Sequence, residues 1–230
     1  MLRFLPILLA ILYALGMYWF SARRTARELD VNSSELADAR LRKLTDAMAR
    51  ALEVDRIKVH IYEVAPVNGL AAPDGRIFIT RGFFNKYRAG EVSAEELASV
   101  IAHELGHVAL GHARRRMIDF SGQNAIRTAL AMVLNRFLPG IGAMIATALT
   151  SLLAARLSRS DEYEADAYAS ALLVKSGIGT AAQKSLFRKL ERLTGSGGGA
   201  PVWMLSHPKT EDRIKAIEAN EARWGQLPST

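Results

Sequence analysis

The segment from Ser93 to Met117 constrains the fold of this 230-residue chain more than any other part of its sequence. Ser93 is followed three positions later by Glu96, a capping-box pattern that marks the start of a helix. The residues after it have helical spacing and contain no proline. The pattern therefore predicts one helix over residues 93–117.

This helix contains an H-E-x-x-H motif formed by His103, Glu104 and His107. Two imidazoles four residues apart lie on the same helix face, so both can bind one metal ion. Glu104 lies further round the helix, where its carboxylate can contact a metal-bound water but is poorly placed as a third ligand. The motif predicts a hydrolytic zinc site in which Glu104 is the general base.

The alternative for this motif is a solvated helix face that carries two histidines and a glutamate by chance. The helix is largely apolar, however, with Val100, Ile101, Leu105 and Val108 around the motif. Polar groups in an apolar helix need a compensating interaction, because burying them unpaired costs free energy. The composition of the helix therefore favours the metal site.

The composition of the whole chain limits which groups can complete such a site. The chain has no cysteine, so the ligands must be His, Asp or Glu, and five histidines are available. The net charge is +7, but the basic and aromatic pattern of a nucleic-acid-binding module is missing from the sequence. We expect no nucleic-acid partner, because attraction to an anionic membrane surface explains the positive charge more simply.

Phe4–Ala22 is a run of nineteen uncharged residues, about the length of a helix that crosses the hydrocarbon core of a bilayer. A cleaved signal peptide is the alternative, but its apolar core is normally shorter and no clear small-residue cleavage site follows here. We therefore expect residues 1–30 to form a membrane anchor with a basic flank. Three arginines follow the run and one precedes it, which by the positive-inside rule places the rest of the chain in the cytoplasm.

Residues 31–225 are predicted to form one mostly helical α+β domain with a small β-sheet. Ser33 or Ser34 caps a predicted amphipathic helix that ends near Leu52. The segment Ile57–Tyr62 then alternates apolar and polar side chains, as a half-buried strand does.

Two short extended runs around Pro73-Asp74-Gly75 predict a β-hairpin, and its first strand contains Gly69, Leu70 and Ala71. Small side chains would leave room on the outer edge of that strand. In a peptidase, an edge strand beside the metal is where a substrate backbone pairs. A hairpin with a purely structural role is equally consistent with the sequence, so both possibilities remain open.

Residues 137–155 form a second uncharged run, interrupted by a proline and two glycines. A single full span here would put the H-E-x-x-H helix and the acidic segment that follows on opposite sides of a bilayer. We therefore expect a membrane-proximal helix or a buried core helix. Further along, residues 183–193 and 210–224 predict two more helices, and the glycine-rich residues 195–201 predict a flexible linker.

Two histidines cannot complete a zinc site, so a third protein ligand must come from elsewhere. His112 falls on the opposite face from the first motif histidine unless the helix breaks at Gly111, and we exclude it on that basis. The better candidate is Ser158–Asp166, predicted to begin another helix, where Glu162 and Asp166 share a face. One carboxylate could reach the metal and the other a ligand histidine. A solvated acidic helix start explains the same segment when it is considered alone.

The H-E-L-G-H helix, the later S-R-x-x-E-x-E-A-D segment and a C-terminal S-H-P-x-x-x-x-R motif together resemble the HtpX, BepA and CAAX-prenyl-endopeptidase family of zinc metallopeptidases. The likeness extends from about Ile57 to Ile217. The N-G-L-A-A-P-D-G-R-I-F-I-T-R-G run also resembles the hairpin that precedes the metal helix in this family. The resemblance implies a zincin-like metallopeptidase domain.

The resemblance also implies a role for each motif residue. The two motif histidines and Glu162 would bind zinc, and the motif glutamate would be the general base. Asp166 would accept a hydrogen bond from the second ring nitrogen of one of these histidines. His207 would be the conditional active-site histidine of the family, either stabilising the oxyanion of the tetrahedral intermediate or occupying the metal in a resting form. Independently of the resemblance, we expect Arg213 to order this segment by pairing with a carboxylate.

These features predict a membrane-anchored zinc endopeptidase of the cell membrane that cleaves membrane or misfolded proteins. Its partners would be protein or peptide substrates and the lipid bilayer; the sequence leaves the oligomeric state undetermined. The alternative is a membrane-tethered binding or scaffold protein with a structural zinc site. A structural site normally has four protein ligands and has no use for Glu104 as a base, which favours the enzyme.

Overall fold

The computed structural model describes residues 16, 19–20, 23–24, 26–72, 74–112, 127–128, 130–194 and 210–225. The chain divides into two compact units. The first comprises Met1–Asn32 and Ala113–Ser158, and the second comprises Ser33–His112 and Arg159–Thr230. The H-E-x-x-H motif and the acidic residues from Asp161 to Asp166 all belong to the second unit.

The second unit contains a mixed four-stranded sheet in the order β1-β2-β4-β3. β2 pairs antiparallel with β1 and parallel with β4, and β3 pairs antiparallel with β4. β3 is therefore the last strand at one side of the sheet. The strands are β1 (Ser33–Glu35), β2 (Val59–Tyr62), β3 (Gly69–Ala71) and β4 (Ile77–Thr80).

The longer helices lie between and after these strands along the chain, and the fold is α+β and mostly helical. They are α1 (Ala39–Ala51), α2 (Arg81–Arg88), α3 (Ala94–Ala109), α4 (Gly142–Lys175), α5 (Ala181–Thr194) and α6 (Thr210–Gly225). The predicted hairpin and the predicted helices over residues 183–193 and 210–224 are confirmed as β3–β4, α5 and α6.

The core of the second unit is formed by the sheet and the apolar faces of the helices packed on it. Ile77 and Ile79 of β4 are fully buried, as are Leu97 and Ile101 of α3. Each such side chain contributes roughly 1.5–3 kcal/mol through the hydrophobic effect. This burial fixes α3, the helix that carries the motif, against the sheet.

The start of the second unit differs from the sequence prediction. Ser33–Glu35 is strand β1, which pairs with β2, so the predicted helix cap at Ser33 or Ser34 was wrong. The helix begins four residues later, where the Asp38 carboxylate accepts hydrogen bonds from the backbone N–H groups of Arg40 and Leu41. Pairing with β2 satisfies the earlier backbone groups, which a local cap pattern cannot reveal.

Two predicted helix boundaries were also wrong. The capping box at Ser93 is confirmed, but α3 ends at Ala109 and not near Met117. Gly111 adopts a left-handed backbone conformation with φ of 69°, which stops the helix and turns the chain. The segment Ser158–Asp166 lies inside the 34-residue helix α4, so it is not a helix start, and the helix dipole does not explain its acidic residues.

The predicted membrane anchor Phe4–Ala22 lies almost entirely outside the described residues, and so does the predicted linker at 195–201. Among the helices that the structure describes, none combines the length and apolar character needed to cross a bilayer. In the first unit, residues 130–137 are helical and precede a turn at 138–141, after which α4 begins.

The Glu96 carboxylate holds the start of α3 in place through several hydrogen bonds. It accepts hydrogen bonds from Ser93 N (2.8 Å), Ser185 Oγ (2.7 Å) and Lys189 Nζ (2.9 Å). Burial acts to raise the pKa of Glu96, but these bonds outweigh it and lower the pKa. The stabilisation is therefore present above about pH 4.5 and disappears as the pH falls through the lowered pKa of the folded state.

We expect Glu96→Gln to reduce the free energy of unfolding at pH 7 by about 1–3 kcal/mol and to flatten its dependence on pH below about 5. Urea titrations at several pH values measure both effects. Glu95→Gln is the matched control, because Glu95 forms an exposed ion pair with Arg40, and its loss should cost less than about 1 kcal/mol. An acid profile for Glu96→Gln equal to that of the wild type would contradict the assignment.

Candidate metal centre

Three buried side chains from α3 and α4 converge on one point. The Nε2 atoms of His103 and His107 are 3.1 Å apart. The Glu162 carboxylate approaches both, with Oε2 at 3.3 Å from His103 Nε2 and Oε1 at 3.4 Å from His107 Nε2. The three side chains could therefore hold one metal ion between them.

The donor set and its spacing fit a small divalent cation. Zn–N and Zn–O bonds of about 2.1 Å in tetrahedral geometry separate the ligand atoms by about 3.4 Å, close to the distances observed here. Within the described residues, this cluster has three members, which is the number of protein ligands in a catalytic zinc site. A fourth protein ligand, which a structural site would need, is not found among those residues.

Gly106 allows the two helices to come this close. A Cβ atom at this position would lie 3.0 Å from both the Cα and the carbonyl oxygen of Ala165, and the backbone of α4 cannot move aside as a flexible side chain can. Glu162 is one helical turn before Ala165 on the same face of α4. Gly106 is thus required for the close packing that brings these side chains together.

A buried ion pair between Asp166 and Arg213 lies beside the Nδ1 atom of His103. His103 Nδ1 is 2.9 Å from Asp166 Oδ1, and Arg213 donates two hydrogen bonds to the same carboxylate, at 2.6 and 2.7 Å. Burial acts to raise the pKa of Asp166, but the Arg213 guanidinium holds that pKa below its ordinary value. Asp166 is therefore an ionised acceptor that directs the Nδ1–H of His103 away from the metal position.

The predicted pairing of Arg213 with a carboxylate is confirmed. Its guanidinium is fully buried and lies 4.3 Å from the centroid of the Phe187 ring, so α5 and α6 both contribute to holding it. Arginine retains its charge when buried and matches a carboxylate with two parallel bonds. The start of α6 is thereby tied to the metal centre.

The protonation of His103 reflects the acidic surroundings. Burial acts to lower its pKa, but hydrogen bonds to Asp166 and Glu162 outweigh burial and raise the pKa of His103 to about 9. A metal could bind this imidazole only in its neutral form.

Glu104 is also buried, at 3% exposure, and faces strand β3. A Cβ atom on Gly69 would lie 3.2 Å from Glu104 Oε1 and 2.7 Å from Val100 Cγ1. The first residue of β3 therefore packs directly on the motif glutamate, with no space for a side chain. This close approach brings the end of the sheet to the candidate site.

The outer edge of β3 carries backbone groups that do not face β4. Ala72 N donates to Arg76 O, and Asn68 O accepts from Thr80 N, so alternate residues 68, 70 and 72 form the hydrogen-bonded pairs with β4. The N–H and C=O groups of Gly69 and Ala71 then point to the opposite side. An extended peptide could pair with the strand along this side.

His112 does not lie where its position in the sequence predicts. Because the chain turns at Gly111, His112 does not continue round the helix but is fully buried, with Nδ1 at 2.9 Å from His107 Nδ1. The argument that it lies on the opposite face was therefore wrong. His112 is nonetheless not a member of the three-residue cluster. His207 lies outside the described residues.

Comparisons with known proteins identify the family of this chain. The model of peptidase family M48 matches residues 35–221. The chain is 31% identical to the metalloprotease LoiP of Escherichia coli (strain K12) over 183 residues, which cover 77% of this chain and 68% of LoiP. It is 28% identical to a protease HtpX homologue of Salinibacter ruber (strain DSM 13855 / M31) over an alignment of 257 positions, which covers 94% of this chain and 88% of that protein.

A more distant relative is the human mitochondrial metalloendopeptidase OMA1, which is 24% identical over 168 residues, covering 70% of this chain and 31% of OMA1. The family match spans both the H-E-x-x-H motif and Glu162. The expected resemblance to the HtpX group of metallopeptidases is thus confirmed. The chain belongs to peptidase family M48 and is a metalloendopeptidase.

Proposed function

We propose that this protein is a zinc-dependent endopeptidase whose metal is bound by His103, His107 and Glu162. The observation that carries the proposal is the convergence of two imidazole Nε2 atoms and one carboxylate at 3.1–3.4 Å from one another. Nitrogen and carboxylate ligands in this number suit zinc and leave one coordination position for water or substrate.

The chemistry follows from the groups around that position. Zinc held by His103, His107 and Glu162 would supply a Lewis acid able to polarise the scissile carbonyl and to lower the pKa of a water molecule. The Glu104 carboxylate takes a proton from this water as its oxygen attacks the carbonyl carbon. The same carboxyl group then gives the proton to the leaving nitrogen as the C–N bond breaks, which restores Glu104 to its ionised form.

Asp166 and Arg213 serve the ligand His103 in this scheme. Asp166 accepts the Nδ1–H, so the Nε2 lone pair is left for the metal. Arg213 holds Asp166 ionised and in place through two short hydrogen bonds. A carboxylate behind a ligand imidazole fixes its ring orientation and increases its basicity.

We propose that the substrate backbone pairs with the outer edge of β3, at Gly69, Leu70 and Ala71. The contact of Gly69 with Glu104 supports this, because a peptide paired along β3 would pass close to the general base. Backbone pairing gives affinity that depends little on sequence. It suits an enzyme that acts on unfolded segments of misfolded or membrane proteins.

His207 is proposed to complete the site as the conditional histidine. It precedes the start of α6 by three residues, and α6 places Arg213 on Asp166. Three residues of chain reach at most about 10 Å, which limits the distance between His207 and the start of α6. There it would stabilise the oxyanion or compete for the metal.

We propose that the enzyme is a membrane protein, anchored by Phe4–Ala22, with its catalytic unit in the cytoplasm. The first unit supports contact with lipid, since Phe137 and Leu152 are 73% and 69% exposed. Residues 120–160 contain no acidic side chain, so this region suits an anionic bilayer surface.

The test of the general base is Glu104→Gln. Glutamine keeps the shape of the side chain but cannot accept and return the proton, so cleavage of an unfolded protein should fall by at least about a hundredfold. Zinc content, measured by atomic emission, should remain at the wild-type level. Retained activity would overturn the mechanism.

Glu162→Ala is the contrasting variant for the metal. It should lose zinc as well as activity, because two imidazoles alone do not hold the ion. Glu218→Ala, an exposed glutamate on α6, is the control and should change neither. Full zinc occupancy in Glu162→Ala would place the third ligand elsewhere.

Ala71→Pro tests the substrate edge. Proline removes the outward N–H of β3 without removing a bond to β4, and edge strands tolerate it there. We expect kcat/KM for an unfolded protein to fall roughly tenfold, the cost of one backbone hydrogen bond. Ala71→Ser keeps the N–H and is the control. Equal kcat/KM values for the proline and serine variants would exclude pairing at this position.

The absence of cysteine from the chain allows a direct test of the membrane contact. We expect a fluorophore on Leu152→Cys, in the full-length protein reconstituted in anionic vesicles, to be quenched by lipids that carry a nitroxide. The same label on Glu218→Cys should not be quenched, because that position belongs to the catalytic unit. Equal quenching at both positions would contradict lipid contact by residues 130–158.

The same Glu218→Cys variant tests the side of the membrane. A membrane-impermeant maleimide should label it only after the cells are lysed. Labelling in intact cells would instead place the catalytic unit outside the cytoplasm.

A further inference from the structure

His112 is a buried titratable residue that the proposed mechanism does not use. It lies directly after the turn at Gly111 and is fully buried. Its ring packs edge-on against the ring of His107, with centroids 5.1 Å apart and an interplanar angle of 68°. The turn at Gly111 therefore brings the His112 imidazole against the Nδ1 side of the His107 ring.

The two rings meet through equivalent nitrogen atoms. His107 Nδ1 and His112 Nδ1 are 2.9 Å apart, the length of a hydrogen bond. On its other side, His112 Nε2 lies 3.4 Å from Glu164 Oε2 and 3.8 Å from Asp161 Oδ1. The His112 ring thus lies between His107 on one side and two carboxylates of α4 on the other.

The proton positions on these two rings follow from metal binding. For His107 Nε2 to bind a metal, its lone pair must be free, so the proton of the neutral ring is on Nδ1. Two nitrogen atoms 2.9 Å apart share one proton, so His112 Nδ1 must be the unprotonated acceptor. The proton of His112 is then on Nε2, where it faces the carboxylates of Glu164 and Asp161.

We propose that His112 is a positioning residue that fixes His107 in its metal-binding tautomer. The inference rests on the proposed zinc site. It makes the two ligand histidines unequal: the charged Asp166 supports His103, and a neutral imidazole supports His107. An imidazole is a weaker acceptor than a carboxylate, so His107 is the less basic of the two ligands.

Asparagine and leucine at position 112 separate this role from simple packing. In His112→Asn, the side-chain oxygen takes the place of Nδ1 and can accept the His107 Nδ1–H. In His112→Leu, the apolar volume remains but the acceptor is lost, and His107 retains a buried N–H without this partner. A residue that only fills space would be replaced better by leucine than by asparagine.

The experiment measures the zinc dissociation constant of the metal-free full-length protein by competition with a chelator. We expect His112→Leu to bind zinc about 10–100-fold more weakly and His112→Asn to recover most of that loss. His60→Leu is the matched control, because His60 lies in β2 and stacks on Phe78, outside the metal cluster. Its affinity for zinc should equal that of the wild type.

A second readout is the ¹⁵N spectrum of the zinc-bound wild-type imidazoles. It should show a protonated Nδ1 on His107 and a protonated Nε2 on His112. Unchanged zinc affinity in His112→Leu, an equal loss in the leucine and asparagine variants, or a protonated His112 Nδ1 would overturn the proposal. If His112→Leu does not fold, His112→Gln provides the comparison, because its oxygen replaces Nε2 and leaves His107 without the acceptor.

Failure of this inference can be distinguished from failure of the proposed function. If the wild type does not bind zinc, or if Glu162→Ala binds it fully, the proposed zinc site is wrong. If the wild type binds zinc through Glu162 and His112→Leu binds it equally well, only the role of His112 is wrong.

Discussion

The cluster of His103, His107 and Glu162 depends on the close approach of α3 and α4 at Gly106. Because a Cβ atom there would lie 3.0 Å from the backbone of Ala165, any larger residue would push the helices apart. Glu162, Ala165 and Asp166 share one face of α4, so a single packing surface presents one carboxylate to the metal position and the other to His103. The steric fit of one glycine and one alanine thereby sets distances that metal binding requires to within a few tenths of an ångström.

Acidic side chains are concentrated in this interior. Glu104, Glu162 and Asp166 are at most 3% exposed, and Arg213, which pairs with Asp166, is fully buried. Burial acts to lower the pKa of His103, but hydrogen bonds to Asp166 and Glu162 raise it, so these surroundings favour positive charge. Uncompensated buried charge is costly, so a cation bound in the proposed site would also stabilise the domain.

Local patterns predicted the elements that depend on local interactions. The capping box at Ser93 and the hairpin at Asp74 are both observed, since their hydrogen bonds form between residues close in the chain. The predictions that failed concern long-range packing. Strand β1 exists because β2 lies beside it, and α4 extends well before Ser158, so neither feature has a signature in its own residues.

The sequence by itself determined which groups can do the chemistry. The H-E-x-x-H spacing predicted that His103 and His107 share one face of a helix, as observed, because helix periodicity converts spacing directly into direction. The tertiary structure alone decided which distant groups complete the site. Arg213 reaches Asp166 across 47 positions of the chain, and His112 reaches His107 only because Gly111 ends the helix. Such contacts arise from packing between elements, where distance in space is independent of distance along the chain.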